Sequence, residues 1–376
     1  MKSPCLLVGA YLLLVVGAIH AWTSCAGRNQ PSSSQLETTV RKDGLLHYRQ
    51  RSETLSEQRI RLLWSQQHFK VANDLVSSFI QDTPAGLKRR SDEHDPYADH
   101  LFSELFSFEP NESETVRLKQ LYPPAQDAVK TKKRSFALTV AYRGSEFCGW
   151  QTQPNKTLPS IQESLEAHLA ILQNTRVDIR VCGRTDAGVH AIGQVCRYRT
   201  ELDIDVHDVQ RHLDQAPFSS HCFRCLGVQR VSSTFHPGFG ATSRAYAYVI
   251  DPNFVTAAEV DRLDTMLREL ENKTLDYYGF SYGKVKTQST NCTLYCARAV
   301  LLDNGGICIQ LVGNRFLRRM VRLLVSTALS MAFEQEASSL IPRIVALDRT
   351  QCSPAAPPGG LIFVAANFEP QGRIME

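Results

Sequence analysis

CGRTDAGVHA (residues 182–191) sets one carboxylate, Asp186, between an arginine, Arg184, and a helix-breaking glycine, Gly188. The strand-like VDIRVCG (177–183) delivers the chain into it, and an alternating stretch, GQVCRYRT (193–200), carries it away. Asp186 therefore belongs at the tip of a strand–loop connection, where a side chain can be aimed at a ligand. Gly183 and Gly188 allow the backbone to bend tightly or to approach a bound group closely. The plainer alternative is that Thr185 or Asp186 only N-caps a short turn. These residues alone leave the two readings even.

Working outward, two similar units flank this loop. The first runs from a strand at 135–142 (SFALTVAY) through a glycine-containing turn to a helix from about 160. Ser160 and Glu163 are spaced as a capping box, and Ile161, Leu165, Leu169 and Leu172 form an apolar stripe. The second runs from the strand RAYAYVI (244–250) to a helix from about 257, with Thr256 and Glu259 as its cap and Val260, Leu263, Leu267 and Leu270 on one face. A hairpin with two β-rich arms around Asn304-Gly305-Gly306 follows. Strands and helices in this order predict an α+β chain in two related halves, with mainly antiparallel sheet and helices packed on one face.

The totals bound the class. The chain has 376 residues, with 42 Lys+Arg against 38 Asp+Glu, so any polyanion-binding surface must come from local clustering rather than from net charge. Its eleven cysteines are scattered, with Cys222/Cys225 and Cys292/Cys296 the close pairs. Four such thiols suit zinc, but structural sites favour tighter knuckles, and reduced core cysteines are the simpler reading. At the amino terminus, MKSPCLLVGAYLLLVVGAIHA has one lysine, an apolar run short for a membrane span, then small residues near Ala21 and Ala26. Residues 1–26 read as a signal peptide that leaves no stable membrane association once removed. Residues 27–130 read as a transit-like presequence and linker, with Arg, Ser and Gln early and acidic, proline-containing stretches later. Ile60, Leu63, Phe69, Val71, Leu75 and Phe79 recur loosely enough to allow some helix over about 57–80. The competing reading is an ordinary secreted protein, which four N-x-S/T sequons mildly favour.

A second stretch bears on Asp186. NRFLRRMVRLLVSTAL (314–329) reads as one helix with Arg315, Arg318, Arg319 and Arg322 on one side, and Phe316, Met320, Leu323 and Leu324 on the other. Four guanidiniums without an interleaved acid suit phosphate contacts, or one of them pairing with a buried carboxylate. KTKKR (130–134) adds basic charge, and Tyr142, Phe147 and Trp150 supply aromatics nearby. Basic groove plus aromatics is the footprint of single-stranded or flipped nucleotides.

GRTDAGVHA resembles the signature of the TruA family of tRNA pseudouridine synthases, and four further stretches resemble that family's motifs in order. They are YRGSEFCGWQ (142–151), FHPGFGATSRAYAY (235–248), FLRRMVR (316–322) and APPGGL (356–361), within about residues 134–368. The resemblance implies the pseudouridine synthase fold with a catalytic cleft between an N-terminal half (131–234) and a C-terminal half (235–370). It implies a cofactor-free and metal-free isomerase that turns uridine into pseudouridine in the anticodon stem-loop of tRNA at positions 38–40, as a homodimer. It carries the catalytic role to Asp186, stacking on the flipped uracil to Tyr246, flipping and phosphate contact to Arg184, and pairing with the catalytic carboxylate to Arg322. RNA would be recognised by shape and phosphates. A tRNA enzyme behind a signal and transit-like leader points to a plastid (apicoplast-like) reached through the secretory pathway, with a mitochondrion as the other address.

Departures from the family pattern fall elsewhere. Arg143 stands where the family has Asp, Pro237 and Gly238 where it has Ala-Arg, Cys292 where an arginine is common, and Leu323 and Ser326 where Asn and Gly follow. APFSSHCFRC (216–225) is a poor match to its segment. They bear on RNA positioning more than on chemistry, and they motivate the rival reading of a non-catalytic RNA-binding paralogue.

Overall fold

The computed structural model describes residues 54–82, 133–152, 156–214, 222–285, 287–334 and 339–368. The signal-peptide assignment at 1–26, residues 27–53 and 83–132, the sequon at Asn155 and all of APFSSH (216–221) lie outside them. The strands are β1 (Arg134–Tyr142), β2 (Arg180–Val181), β3 (His190–Thr200), β4 (Phe223–Val231), β5 (Ala241–Ile250), β6 (Thr274–Asp276), β7 (Asn291–Leu301), β8 (Ile307–Gly313) and β9 (Leu361–Phe368). They form one sheet in the order β4-β1-β3-β9-β5-β8-β7-β6, with β2 beside β3. Every pairing is antiparallel except β3 with β9, where His190 sits opposite Ile362 and Ala191 opposite Phe363. That parallel pair joins the strands of the two halves. It also sets the starts of β3 and β9 side by side, so the segments leading into them, the Asp186 loop and residues 356–360, are neighbours.

Of the two expected capping boxes, the one at Thr256 closes fully and the one at Ser160 forms its hydroxyl half. The Ser160 hydroxyl accepts from Glu163 N at 3.1 Å ahead of α3 (Ile161–Gln173). Thr256 and Glu259 close a reciprocal capping box on α6 (Ala257–Arg268). Gly305 takes φ 80° at the β7–β8 turn, a conformation that favours glycine. With α4 (Val206–Asp214), α3 covers a core that includes Phe136, Leu138, Tyr142 and Tyr198. A second core joins α6 and α7 (Met320–Ala332) to Tyr248, Ile250, Ile309 and Leu311. Among the described residues no helix is long and apolar enough to cross a membrane.

Two helices fall within the stretch read above as presequence and linker, which corrects that boundary. α1 (Leu55–Gln66) is closed by a capping box of Thr54 and Glu57, buries Leu63, and sets Ile60 in the α6–α7 core. Trp64 Nε1 donates to Ser326 Oγ at 3.2 Å, and Arg59 pairs with Glu259 at 3.0 Å through Nη2. α2 (Lys70–Asp82) lies on the reverse face of the sheet. Its Ala72, Val76 and Ile80 pack with Ala141, Ile192, Ala245, Ala247, Val249 and Val312, whose strand neighbours face the other cores. The first turn of α2 is capped from the sheet: Lys70 N and Val71 N donate to the two carboxylate oxygens of Asp251 at 3.0 and 2.9 Å. The physical reason the segment reads weakly is its composition, since α2 buries small and β-branched residues between half-exposed Val71, Leu75 and Phe79.

Candidate active site

The Asp186 loop is built from three directions. From β1 and the turn after it, the glycines of YRGSEFCGWQ make room for it. A Cβ on Gly144 would lie 2.0 Å from Val189 O, and one on Gly149 would lie 3.1 Å from Thr185 O at φ +106°. Trp150 N donates to Thr185 O at 3.0 Å, and Val189 N closes the loop's own turn on Asp186 O at 3.2 Å. From below, Tyr142 Oη and Thr185 Oγ1 share a buried hydrogen bond of 2.9 Å, while Gln194 Nε2 donates to Gly183 O at 2.8 Å. From β9's leader, Pro358 fills the space over Gly188, which takes φ +80°. The Asp186 backbone thus makes the turn while its carboxylate stays available, and the side chain is about one third exposed.

His190 explains why the Gly144 turn is fixed. It is fully buried, and Gly144 N donates to its Nδ1 at 3.2 Å. Burial pulls the imidazole down to about 4, so the ring is neutral at physiological pH and Nδ1 stays an acceptor. Gly144→Ala is expected to cost about 3 kcal/mol of stability, because its methyl meets backbone that cannot yield without moving the Asp186 loop. Thermal unfolding measured beside turnover checks this; a variant of wild-type stability would contradict the contact.

The carboxylate's partners come from the leader and first turn of α7. Arg322 Nη1 donates to Asp186 Oδ2 at 2.9 Å, and Arg322 Nε donates to Ala356 O at 2.6 Å. Burial lowers the Arg322 guanidinium from its usual value, and the Asp186 charge opposes that shift. Arg319 Nε stands 3.5 Å from the same oxygen, an ion pair longer than a hydrogen bond, and its guanidinium lies 3.9 Å above the ring of Tyr282. Both arginines thus address Oδ2, and among the described residues Oδ1 has no hydrogen-bond partner.

The four-arginine helix face expected from sequence is not formed. α7 starts only at Met320, because Arg319 takes φ +60° and Tyr282 N holds Arg318 O at 3.0 Å. Arg315 and Arg318 therefore sit in a loop, Arg315 near the buried Cys292 and Arg318 5.2 Å from the Tyr282 ring. Arg319 and Tyr282 are site residues that the sequence motifs do not mark as such. The doubled arginine in FLRRMVR was the available signal for the first, and nothing local announced the second.

Tyr246 stands on β5 between the two cores, half-buried, with edge-on contacts to Phe316 and Phe363 at 5.0 and 5.1 Å. Its hydroxyl points toward Gly183, where an added Cβ would lie 3.7 Å away. Burial pushes the Tyr246 phenol up, so it is a neutral ring. Arg184 is exposed on the Asp186 loop and has no ion-pair partner among the described residues. The structure thus joins Asp186 with Arg322, sets Tyr246 behind the loop, and leaves Arg184 facing solvent. Arg143 pairs with Glu146 at 3.0 Å, and Cys292 is core. Cys292 and Cys296 lie in different cores because a bulge intervenes, and among the described residues no group of three or more His, Cys, Asp or Glu could hold a metal ion.

The tRNA pseudouridine synthase family model matches residues 138–225 and 274–369. A tRNA pseudouridine synthase A of Francisella tularensis subsp. tularensis (strain FSC 198) is 30% identical over 248 residues, covering 62% of this chain and 94% of its own. Its counterpart in Pseudothermotoga lettingae is 30% identical over 250 residues, covering 62% and 100%. That of Leptospira biflexa serovar Patoc (strain Patoc 1 / Ames) is 32% identical over 262 residues, covering 64% and 97%. The chain belongs to the tRNA pseudouridine synthase family and is an enzyme of its isomerase class. Asp186 and Arg322 fall inside the matched blocks, Tyr246 falls between them, and α1 and α2 precede both.

Proposed function

We propose that this chain isomerises uridine to pseudouridine in the anticodon stem-loop of tRNA, at positions 38–40, as a homodimer. The observation that carries the reading is Asp186, whose Oδ2 is held by Arg322 and whose Oδ1 is left for a substrate. The isomerisation is balanced without a co-reactant: the C1′–N1 bond breaks, a C1′–C5 bond forms, and the proton lost from C5 is matched by one gained at N1. A single carboxylate serves this chemistry whether it attacks or takes the proton, and Arg322 fixes its position in either role. Tyr246 supplies a ring face for the extracted base, and Arg184 a guanidinium for the backbone. Extraction costs a few kcal/mol of stacking and pairing, offset by the aromatic and phosphate contacts.

The leader of residues 1–26 and the Arg-rich segment after it support import into an organelle, a plastid first and a mitochondrion second. Protein beginning at Glu53, incubated with unmodified tRNA and mapped by carbodiimide, is expected to mark positions 38–40. Marks confined to other positions would overturn the anticodon assignment. Tight tRNA binding without product would favour the non-catalytic RNA-binding alternative.

A further inference from the structure

Phe239 is 74% exposed, yet it is firmly placed. It lies in the short helix α5 (Pro237–Gly240), where His236 Nδ1 accepts from both Gly238 N and Phe239 N at 3.2 Å. Arg244 Nη2 clamps Gly238 O at 2.5 Å, and the Phe239 ring rests on the His236 ring at a centroid distance of 4.4 Å. A single exposed apolar side chain needs no explanation on a protein surface. This one is held outward by several hydrogen bonds, and its surroundings are unusual.

Those surroundings are cationic. Arg180 on β2 is paired directly with Arg197 on β3, and Arg199 lies two residues further along the same face. Burial and then the charges of Arg197, Arg180 and Arg199 lower the His236 imidazole, so its surroundings are electropositive. Arg197 is itself lowered to about 10 by burial and by Arg199 and Arg180, so the crowding carries a cost. The carboxylate among them is Asp178, paired with Arg180 at 3.0 Å at an exposed position. Arg199 is exposed and donates to Ser233 O, and Arg184 stands further along the chain from β2.

The patch adjoins the active site. α5 rests against β2, since a Cβ on Gly238 would lie 3.4 Å from Val181 O. Val181 precedes Asp186 by five residues, at most about 18 Å of extended chain. An outward aromatic on a surface that also carries the exposed guanidiniums of Arg180 and Arg199 is what a single-stranded base and its phosphates require. Resting on the reading of this chain as a tRNA-modifying enzyme, we propose that Phe239 is a stacking platform for an unpaired base of the substrate RNA near the uridine being modified, with the adjoining phosphates against Arg180, Arg199 and Arg184.

The test is steady-state kinetics and equilibrium binding of full-length tRNA by the enzyme from Glu53 onward. Phe239→Ala is expected to raise KM and Kd in parallel by about tenfold or more, with a smaller effect on kcat, and Phe239→Trp to restore both. Arg199→Ala is expected to reduce the slope of log affinity against log salt by about one. Ile171→Ala removes a comparably exposed apolar side chain on α3 and controls for lost surface area. Unchanged KM and Kd in Phe239→Ala would overturn the proposal. A change in its sedimentation with RNA affinity intact would overturn it too, and assign the patch to protein contact. A wild-type enzyme that makes no pseudouridine would overturn the functional reading and this proposal together.

Discussion

Asp186→Asn is expected to lower pseudouridine formation by on the order of 10⁴-fold or more while leaving the protein folded and able to hold tRNA. Asn matches Asp in shape, and its carbonyl oxygen can still accept from Arg322, which keeps its second bond to Ala356 O. What the amide lacks is the negative charge, and with it both nucleophilicity and basicity. The prediction therefore holds whichever of those roles the carboxylate plays. Removing a partner from a buried ion pair is costly, but this carboxylate is about one third exposed, so the stability loss should stay below about 2 kcal/mol. Loss of a negative charge from an arginine-rich site should hold or strengthen tRNA binding. Single-turnover assays, thermal unfolding and filter binding separate the three effects. Activity within a hundredfold of wild type would remove Asp186 from the chemistry.

The contrast between what was legible in the sequence and what was not follows the range of the interactions. Caps at Ser160 and Thr256 and the Asn304-Gly305-Gly306 turn are decided within a few residues, and they could be read directly. The Asp186–Arg322 contact spans 136 residues and depends on β3 and β9 starting side by side, which no local pattern encodes. It was reachable through family resemblance alone. The regular spacing of Arg315, Arg318, Arg319 and Arg322 misled, because a non-glycine residue at φ +60° delays the helix to Met320. That delay matters: with Arg319 outside the helix, its guanidinium can lie on Tyr282 and still approach Asp186. The split between α1 and α2 was hidden the same way, behind Phe69 at φ +52°.

Phe69 is also where the second large effect begins. Removing residues 1–82 is expected to yield insoluble or inactive protein, whereas a chain starting at Glu53 should be soluble and active. Two consequences of the deletion act together. On the reverse face of the sheet, α2 covers Ile192, Ala245, Ala247, Val249, Ile362 and Val364, and its loss would leave a contiguous apolar β surface open to aggregation. On the site side, Phe69 packs against Gly359, where an added Cβ would lie 3.0 Å from its ring, and meets Tyr248 edge-on at 6.4 Å. Tyr248 Oη in turn donates to Pro357 O at 2.9 Å. The segment so braced carries Pro358 over Gly188 and Ala356 under Arg322, which are the contacts that aim Asp186. Phe69→Ala separates the two consequences, because Ala72, Val76 and Ile80 still cover the sheet while the brace on Gly359 and Tyr248 is lost. It should lower kcat several-fold with little change in tRNA affinity, while the full deletion leaves protein that is insoluble or inactive. A soluble, fully active enzyme beginning at residue 131 would show that α1 and α2 are dispensable and that the leader extends as far as the first strand.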